Sequence, residues 1–176
     1  KDKTVLVEVK NAVTGTAGPD TIICKGNEVL LKANMDTIDS GKFIYKWYQN
    51  NVFLDSIIPL KVSPDLNTTY ILNVKNGSCK EINLPVFVEV KDYPNLGVVE
   101  SVKILKGQQA NLKAYSDEGV SYSWNPTQNL SCTNCPFPNA NVASSMVYTV
   151  TATNAFGCSV SEDIQINVLE TCDENL

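Results

Sequence analysis

The chain has 176 residues, 43% of them hydrophobic, and a formal net charge of −5. This length suits one large domain or two small ones, and the acidic balance argues against binding nucleic acid, which needs a basic surface. Histidine is absent, which removes His-based triads, His general bases and His metal ligands together, and no apolar run is long enough to cross a membrane as a helix.

No signal-peptide pattern is read at Lys1, and the start is expected to lie mid-chain. Thr4–Lys10 reads TVLVEVK and Pro85–Lys91 reads PVFVEVK. Both alternate apolar and charged residues with period two, the pattern of a half-buried strand. Lys10 and Lys91 are 81 residues apart. The same offset lays Ile22–Ala33 (IICKGNEVLLKA) over Lys103–Ala114 (KILKGQQANLKA), with Gly26 on Gly107. Later landmarks drift: Trp47 and Trp124 differ by 77, Tyr70 and Tyr148 by 78, Cys79 and Cys158 by 79. Changes in loop length between tandem copies produce such drift.

The repeat sets the boundaries. Residues 1–10 read as the last strand of a truncated upstream module, the alternative being the first strand of module one. Residues 11–91 and 92–169 are the two complete modules, and 170–176 leads toward a further domain. Module one predicts strands at Thr21–Cys24, Glu28–Ala33, Lys42–Gln49, Val52–Leu54, Thr68–Val74 and Leu84–Val90, with Asn50–Asn51 as a turn. Module two predicts them at Val98–Ile104, Ala110–Tyr115, Val120–Trp124, Met146–Thr153 and Ser159–Val168. Turn signals recur every eight to twelve residues or so, as in a β-sandwich. Asp92–Gly97 (DYPNLG) reads as a short, stiff Pro/Gly linker. The fold class expected is all-β, two tandem sandwich modules.

Trp47 and Trp124 occupy equivalent positions and are expected in the two cores, with Tyr70 and Tyr148 each anchoring a neighbouring loop. The alternative use of aromatics is sugar stacking on an exposed face; Tyr45, Tyr48 and Tyr115 are the candidates, scattered rather than in a row. Adjacent acidic pairs, Asp117–Glu118 and Glu162–Asp163, point to opposite faces of a strand and read as solvated charge. A weak calcium site at a loop is the alternative reading.

Six cysteines suggest an oxidising compartment. Cys24 and Cys79 fall in one module and are expected to pair, closing a loop of about 55 residues worth about 4 kcal/mol. Cys132 and Cys135 form a CxxC in a Pro-rich loop and are expected to pair locally. Zinc at this CxxC is the alternative, but no second CxxC accompanies it. Module two has Leu105 at the Cys24 position. Cys158 and Cys172 stand at opposite ends of a long strand, beyond disulfide reach. Both are therefore expected to be unpaired, or Cys172 to bridge outside the chain.

The stretch WNPTQNLSCTNCPFPNA (Trp124–Ala140), followed by VYTVTATNAFGC (Val147–Cys158), resembles the Ig-like/PKD-like surface repeats of Bacteroidota. Module one, with ICKG, Trp47, TTYILNV and GSC, resembles a companion variety more loosely. The resemblance covers nearly the whole chain. It implies two tandem Ig-like sandwiches in a secreted, outer-membrane-attached cell-surface protein, such as a gliding or adhesion filament. Such repeats often precede a gliding-motility-type C-terminal domain, the type B signal of type IX secretion, and ETCDENL (Glu170–Leu176) resembles its entry. A PorP/SprF-like outer-membrane partner is implied through that domain. No enzyme activity, catalytic residue, cofactor or metal is implied.

The function expected is a non-enzymatic structural or adhesive stalk, with surface glycans as a possible target and no small-molecule substrate. The alternative is a carbohydrate-binding accessory module of a secreted hydrolase. Asp20–Thr21–Ile22, Asp36–Thr37–Ile38 and Asp55–Ser56–Ile57 resemble the O-glycosylation acceptor of Bacteroidota exported proteins, at Thr21, Thr37 and Ser56. The same dipeptides also serve as ordinary turn chemistry.

Overall fold

Alternation of buried and exposed side chains organises every long strand of the computed structural model, which describes residues 13–36, 43–77 and 81–170. The expected upstream strand, residues 1–10, lies outside the described residues. The chain divides between Lys91 and Asp92 into two compact units. No helix is present among the described residues.

The first unit runs through β1 (Gly15–Thr16), β2 (Thr21–Cys24), β3 (Val29–Leu31), β4 (Asn34–Met35), β5 (Phe43–Gln49), β6 (Val52–Asp55), β7 (Leu60–Val62), β8 (Thr68–Asn76) and β9 (Ile82–Lys91). Five of them make one sheet, in the order β2-β9-β8-β5-β6. Along β8, Tyr70, Leu72 and Val74 are buried while Ile71 and Asn73 are only partly covered. That is the period-two pattern of a strand with one face on a core. The facing layer holds the pairs β1–β4 and β3–β7. Leu31 from β3 and Leu60 from β7 share one core with Trp47, Leu72, Val86 and Val88. Asn50 and Asn51 join β5 to β6 with φ of 50° and 64°. Left-handed backbone at both positions is the type I′ hairpin geometry, which Asn tolerates better than most residues.

The second unit runs through β10 (Leu96–Val98), β11 (Ser101–Leu105), β12 (Ala110–Asn111), β13 (Ala114–Ser116), β14 (Ser121–Asn125), β15 (Asn139–Ala140), β16 (Met146–Thr153) and β17 (Ser159–Leu169). Its main sheet is β11-β17-β16-β14. β16 repeats the logic of β8, burying Tyr148, Val150 and Ala152. The facing layer is built from β10–β13 and β12–β15, and Leu112, Ala114 and Ala140 meet Trp124, Val150 and Ile164 in the core.

In each unit a short early strand runs parallel to the last one, β2 with β9 and β11 with β17; the other pairings are antiparallel. Two layers close around a central Trp, so the chain is a tandem of Ig-like β-sandwiches.

Several boundaries differ from expectation. Val98–Ile104 is two strands, because the chain changes layer at Val99–Glu100: β10 pairs with β13 and β11 with β17. The Glu100 carbonyl accepts from the Gln165 N–H at 2.8 Å across that switch. Ala110–Tyr115 is also divided. Between its halves, and at the first residue of β13, the N–H groups of Leu112 and Ala114 donate to the carbonyls of Pro138 and Pro136. The expected linker Asp92–Gly97 is shorter, since Leu96 and Gly97 already belong to β10. β1, β7 and β15 carry no alternation signal long enough to mark them in the sequence.

Candidate functional site: anchors, cysteines and exposed faces

Both tryptophans are core residues, Trp47 at 0% and Trp124 at 3% exposure. Each indole N–H leaves the core edge-on and donates to a loop carbonyl, Trp47 to Ile57 at 3.1 Å and Trp124 to Cys135 at 2.8 Å. A buried indole needs such a partner, because an unmade hydrogen bond in the interior is costly. Tyr148 anchors its loop as expected: its ring is buried and its hydroxyl donates to the Gln128 carbonyl at 2.8 Å. Tyr70 does not. Its ring is equally buried, but its hydroxyl has no partner among the described residues. After β5 the chain turns straight into the β6 hairpin, so no loop carbonyl is offered there. Burial raises the pKa of both phenols.

Cys132 and Cys135 are joined to each other, which leaves no thiolate pair at this CxxC for zinc. The staple sits in a loop tied to both layers. Trp124 N–H donates to Thr133 at 3.2 Å, Ser131 N–H to Asn139 at 2.9 Å, and Ser131 Oγ accepts from Asn139 N–H at 2.9 Å.

Cys24 is disulfide-bonded. Its expected partner Cys79 lies outside the described residues. Cys158 is also disulfide-bonded, and 1% exposed, which overturns its expected lack of a partner. The length of the strand between Cys158 and Cys172 bears on that pair alone and leaves the other cysteines open to Cys158. Cys172 lies outside the described residues.

One member of each adjacent acidic pair is engaged locally. Asp163 accepts from Thr149 Oγ1 at 2.7 Å, and Asp117 accepts from Asn95 N–H at 2.9 Å. That backbone donor, with the Asn95 amide, holds the Asp117 carboxyl below its ordinary range. Lys75 and then Asn73 lower Glu81 in the same way. Among the described residues no three His, Cys, Asp or Glu side chains converge as a metal site. Of the three glycosylation candidates, Ser56 is exposed at the end of β6. Thr21 is half-buried and paired with Val88, and Asp20 before it caps Phe87 N–H at 2.7 Å. Thr37 lies outside the described residues.

Among the described residues three aromatic pairs occur: Phe43–Tyr45 and Tyr48–Phe53, each with ring centroids 5.9 Å apart, and Tyr115–Phe137 at 5.4 Å. None forms a coplanar row. Tyr115 and Phe137 are the most exposed pair, at 53% and 54%. The sequence named Tyr115 but gave no reason to put Phe137 beside it, because the hydrogen bond from Ala114 N–H to Pro136 O that joins them (2.9 Å) is a tertiary one.

No family model matches the chain, and no curated protein matches it. Solved structures similar to it include an I-band fragment of titin, 13% identical, with a TM-score of 0.48 over 92% of this chain and 67% of that one. Sidekick-1 immunoglobulin domains 1–4 are 13% identical, with a TM-score of 0.42 over 91% and 50%. The insect immune protein hemolin is 15% identical, with a TM-score of 0.48 over 93% and 48%.

Proposed function

We propose that this chain is a non-enzymatic structural and adhesive segment of a secreted cell-surface protein. The observation that carries the reading is that every described cysteine, Cys24, Cys132, Cys135 and Cys158, is disulfide-bonded, in a chain of two sandwiches that each close around their own Trp. Disulfides persist in oxidising compartments outside the cytosol, and a series of self-contained sandwiches suits a spacer that holds a contact surface away from its anchor. Antibody labelling and protease shaving of intact cells test this. Accessible epitopes are expected; protein found only inside the cell ends the reading.

The finer reading, supported by the resemblance of Trp124–Ala140 and Val147–Cys158, is a gliding-motility-type adhesin exported by type IX secretion. Outer-membrane attachment would then run through a PorP/SprF-like partner and a C-terminal domain. Blocking type IX secretion in the native host should retain the protein in the periplasm. Unchanged surface display would remove this finer reading and leave the coarser one. Of the two described glycan-acceptor candidates, Thr21 and Ser56, Ser56 is the exposed one. Intact mass of natively produced protein should exceed that of the bare polypeptide, and Ser56→Ala should remove one increment.

A further inference from the structure

We infer that the outer face of the second unit, at β10, β13 and residues 136–138, is a shallow binding site for a neutral carbohydrate chain. The inference rests on the adhesive part of the reading above and names its ligand class.

Three adjacent backbone segments build the face. β10 pairs with β13 in the register Gly97↔Tyr115, and the carbonyls of Pro136 and Pro138 hold the next segment against Leu112 and Ala114. Alternation sends Leu96, Val98 and Ala114 inward, and Asn95, Gly97, Tyr115 and Asp117 outward. Phe137 stands beside Tyr115 with its ring tilted 59°. Opposite Tyr115 is a residue without a side chain, so the sheet surface is open there. The resulting shallow concavity is bordered by Asn95, Gly97, Tyr115 and Asp117.

Gly97 has no positive φ, and a Cβ there would meet nothing nearer than the Tyr115 carbonyl at 4.0 Å. Neither backbone conformation nor close packing demands glycine; its effect is to leave the slot open. The first unit provides an internal control. Its corresponding pair is Thr16↔Asn34, both exposed, so the sandwich itself requires neither the glycine nor the aromatic. The rings are also held in advance. The Cys132–Cys135 disulfide and two backbone hydrogen bonds fix the segment bearing Phe137, so little ordering is needed on binding.

The chemistry selects the ligand. Two exposed ring faces suit an apolar C–H surface. Asp117 and Asn95, bonded to each other, retain lone pairs that accept hydroxyl donors. Asp117 is the one charged side chain bordering the concavity, and its carboxylate, already engaged by Asn95, works against an anionic partner. A sugar presents C–H faces and hydroxyls together without net charge.

The test is an amide-resolved NMR titration of the ¹⁵N-labelled full chain with cello-, xylo-, manno-, malto- and chito-hexaose. Saturable shifts at Asn95, Gly97, Tyr115, Asp117 and Phe137 are expected with at least one sugar, with a dissociation constant on the order of 1 mM. Gly97→Thr, which installs the residue found in the first unit, should weaken binding at least tenfold while leaving the melt and the remaining amides unchanged. Tyr115→Ala should abolish binding. No saturable shift at this face with any of the five sugars overturns the inference. So does a response there only to a proline-rich peptide or to rising protein concentration, which would make it a peptide or self-association surface. Surface display and stability are read separately, so loss of the sugar site leaves the spacer reading standing.

Discussion

The two units solve one packing problem in two ways. Both bury a Trp against the Tyr-bearing strand, and both must find an acceptor for an indole N–H at the sheet edge. The first unit sends the chain through the Asn50–Asn51 hairpin, adds β6 to the sheet, and brings back the Ile57 carbonyl. The second adds no such strand. It folds residues 126–138 over the edge, pins them with Cys132–Cys135, and offers the Cys135 carbonyl instead. The shared core fixes where an acceptor must be, and leaves open which stretch of chain supplies it. The freedom has consequences at the surface. The hairpin leaves Val52 and Phe53 on an exposed edge strand, whereas the staple presents Phe137 beside Tyr115.

The comparison breaks most visibly at the tryptophans. Trp47→Ala and Trp124→Ala should each cost about 3–5 kcal/mol, through lost burial and a cavity. The loss should appear in the melt of the altered unit. Isolated Asp92–Leu176 should melt cooperatively by itself, and an unfolded fragment would show that the division at Lys91 is wrong. Removing the staple should come next. Replacing Cys132 and Cys135 with Ala opens a loop of a few residues, worth about 2 kcal/mol in the chain-entropy model. Denaturant melts of the second unit should register it, with no change in the first. Thiol labelling of the unreduced, denatured protein should correspondingly leave Cys24, Cys132, Cys135 and Cys158 unmodified.

A sharper contrast lies in the tyrosines. Tyr148→Phe gives up the bond to Gln128 and leaves that carbonyl short of a donor, a loss of about 1 kcal/mol. Tyr70→Phe gives up nothing comparable and should be close to neutral. Equal losses in the two melts would mean that Tyr70 also has a partner. The smallest effect concerns Asp117, whose folded pKa is lowered by Asn95. Its contribution is present above the unfolded carboxylate pKa, near 4, and is lost as pH falls through the lower folded value. Acid titration of the second unit's melting temperature should therefore steepen below about pH 4, and Asp117→Asn should flatten that slope.

Much of this was legible in the residues. Period-two alternation marked Thr68–Val74 and Met146–Thr153, because a strand with one face on a core must alternate. The offset of 81 residues gave the repeat, and the equivalence of Trp47 and Trp124 gave the two cores. Adjacency in sequence was enough to pair Cys132 with Cys135. What remained hidden depends on contacts between segments distant in the chain. The layer change at Val99–Glu100 has no Gly or Pro to announce it, since either side can pair wherever a free strand edge waits. A disulfide between distant cysteines requires Cα atoms about 5–6 Å apart. Register and loop packing decide that, and neither can be read from a cysteine's place in the sequence. Local alternation is a property of one segment and can be read from it. The neighbours of Tyr115, Gly97 across one ladder and Phe137 across another, were settled only when three separate segments came together in one layer.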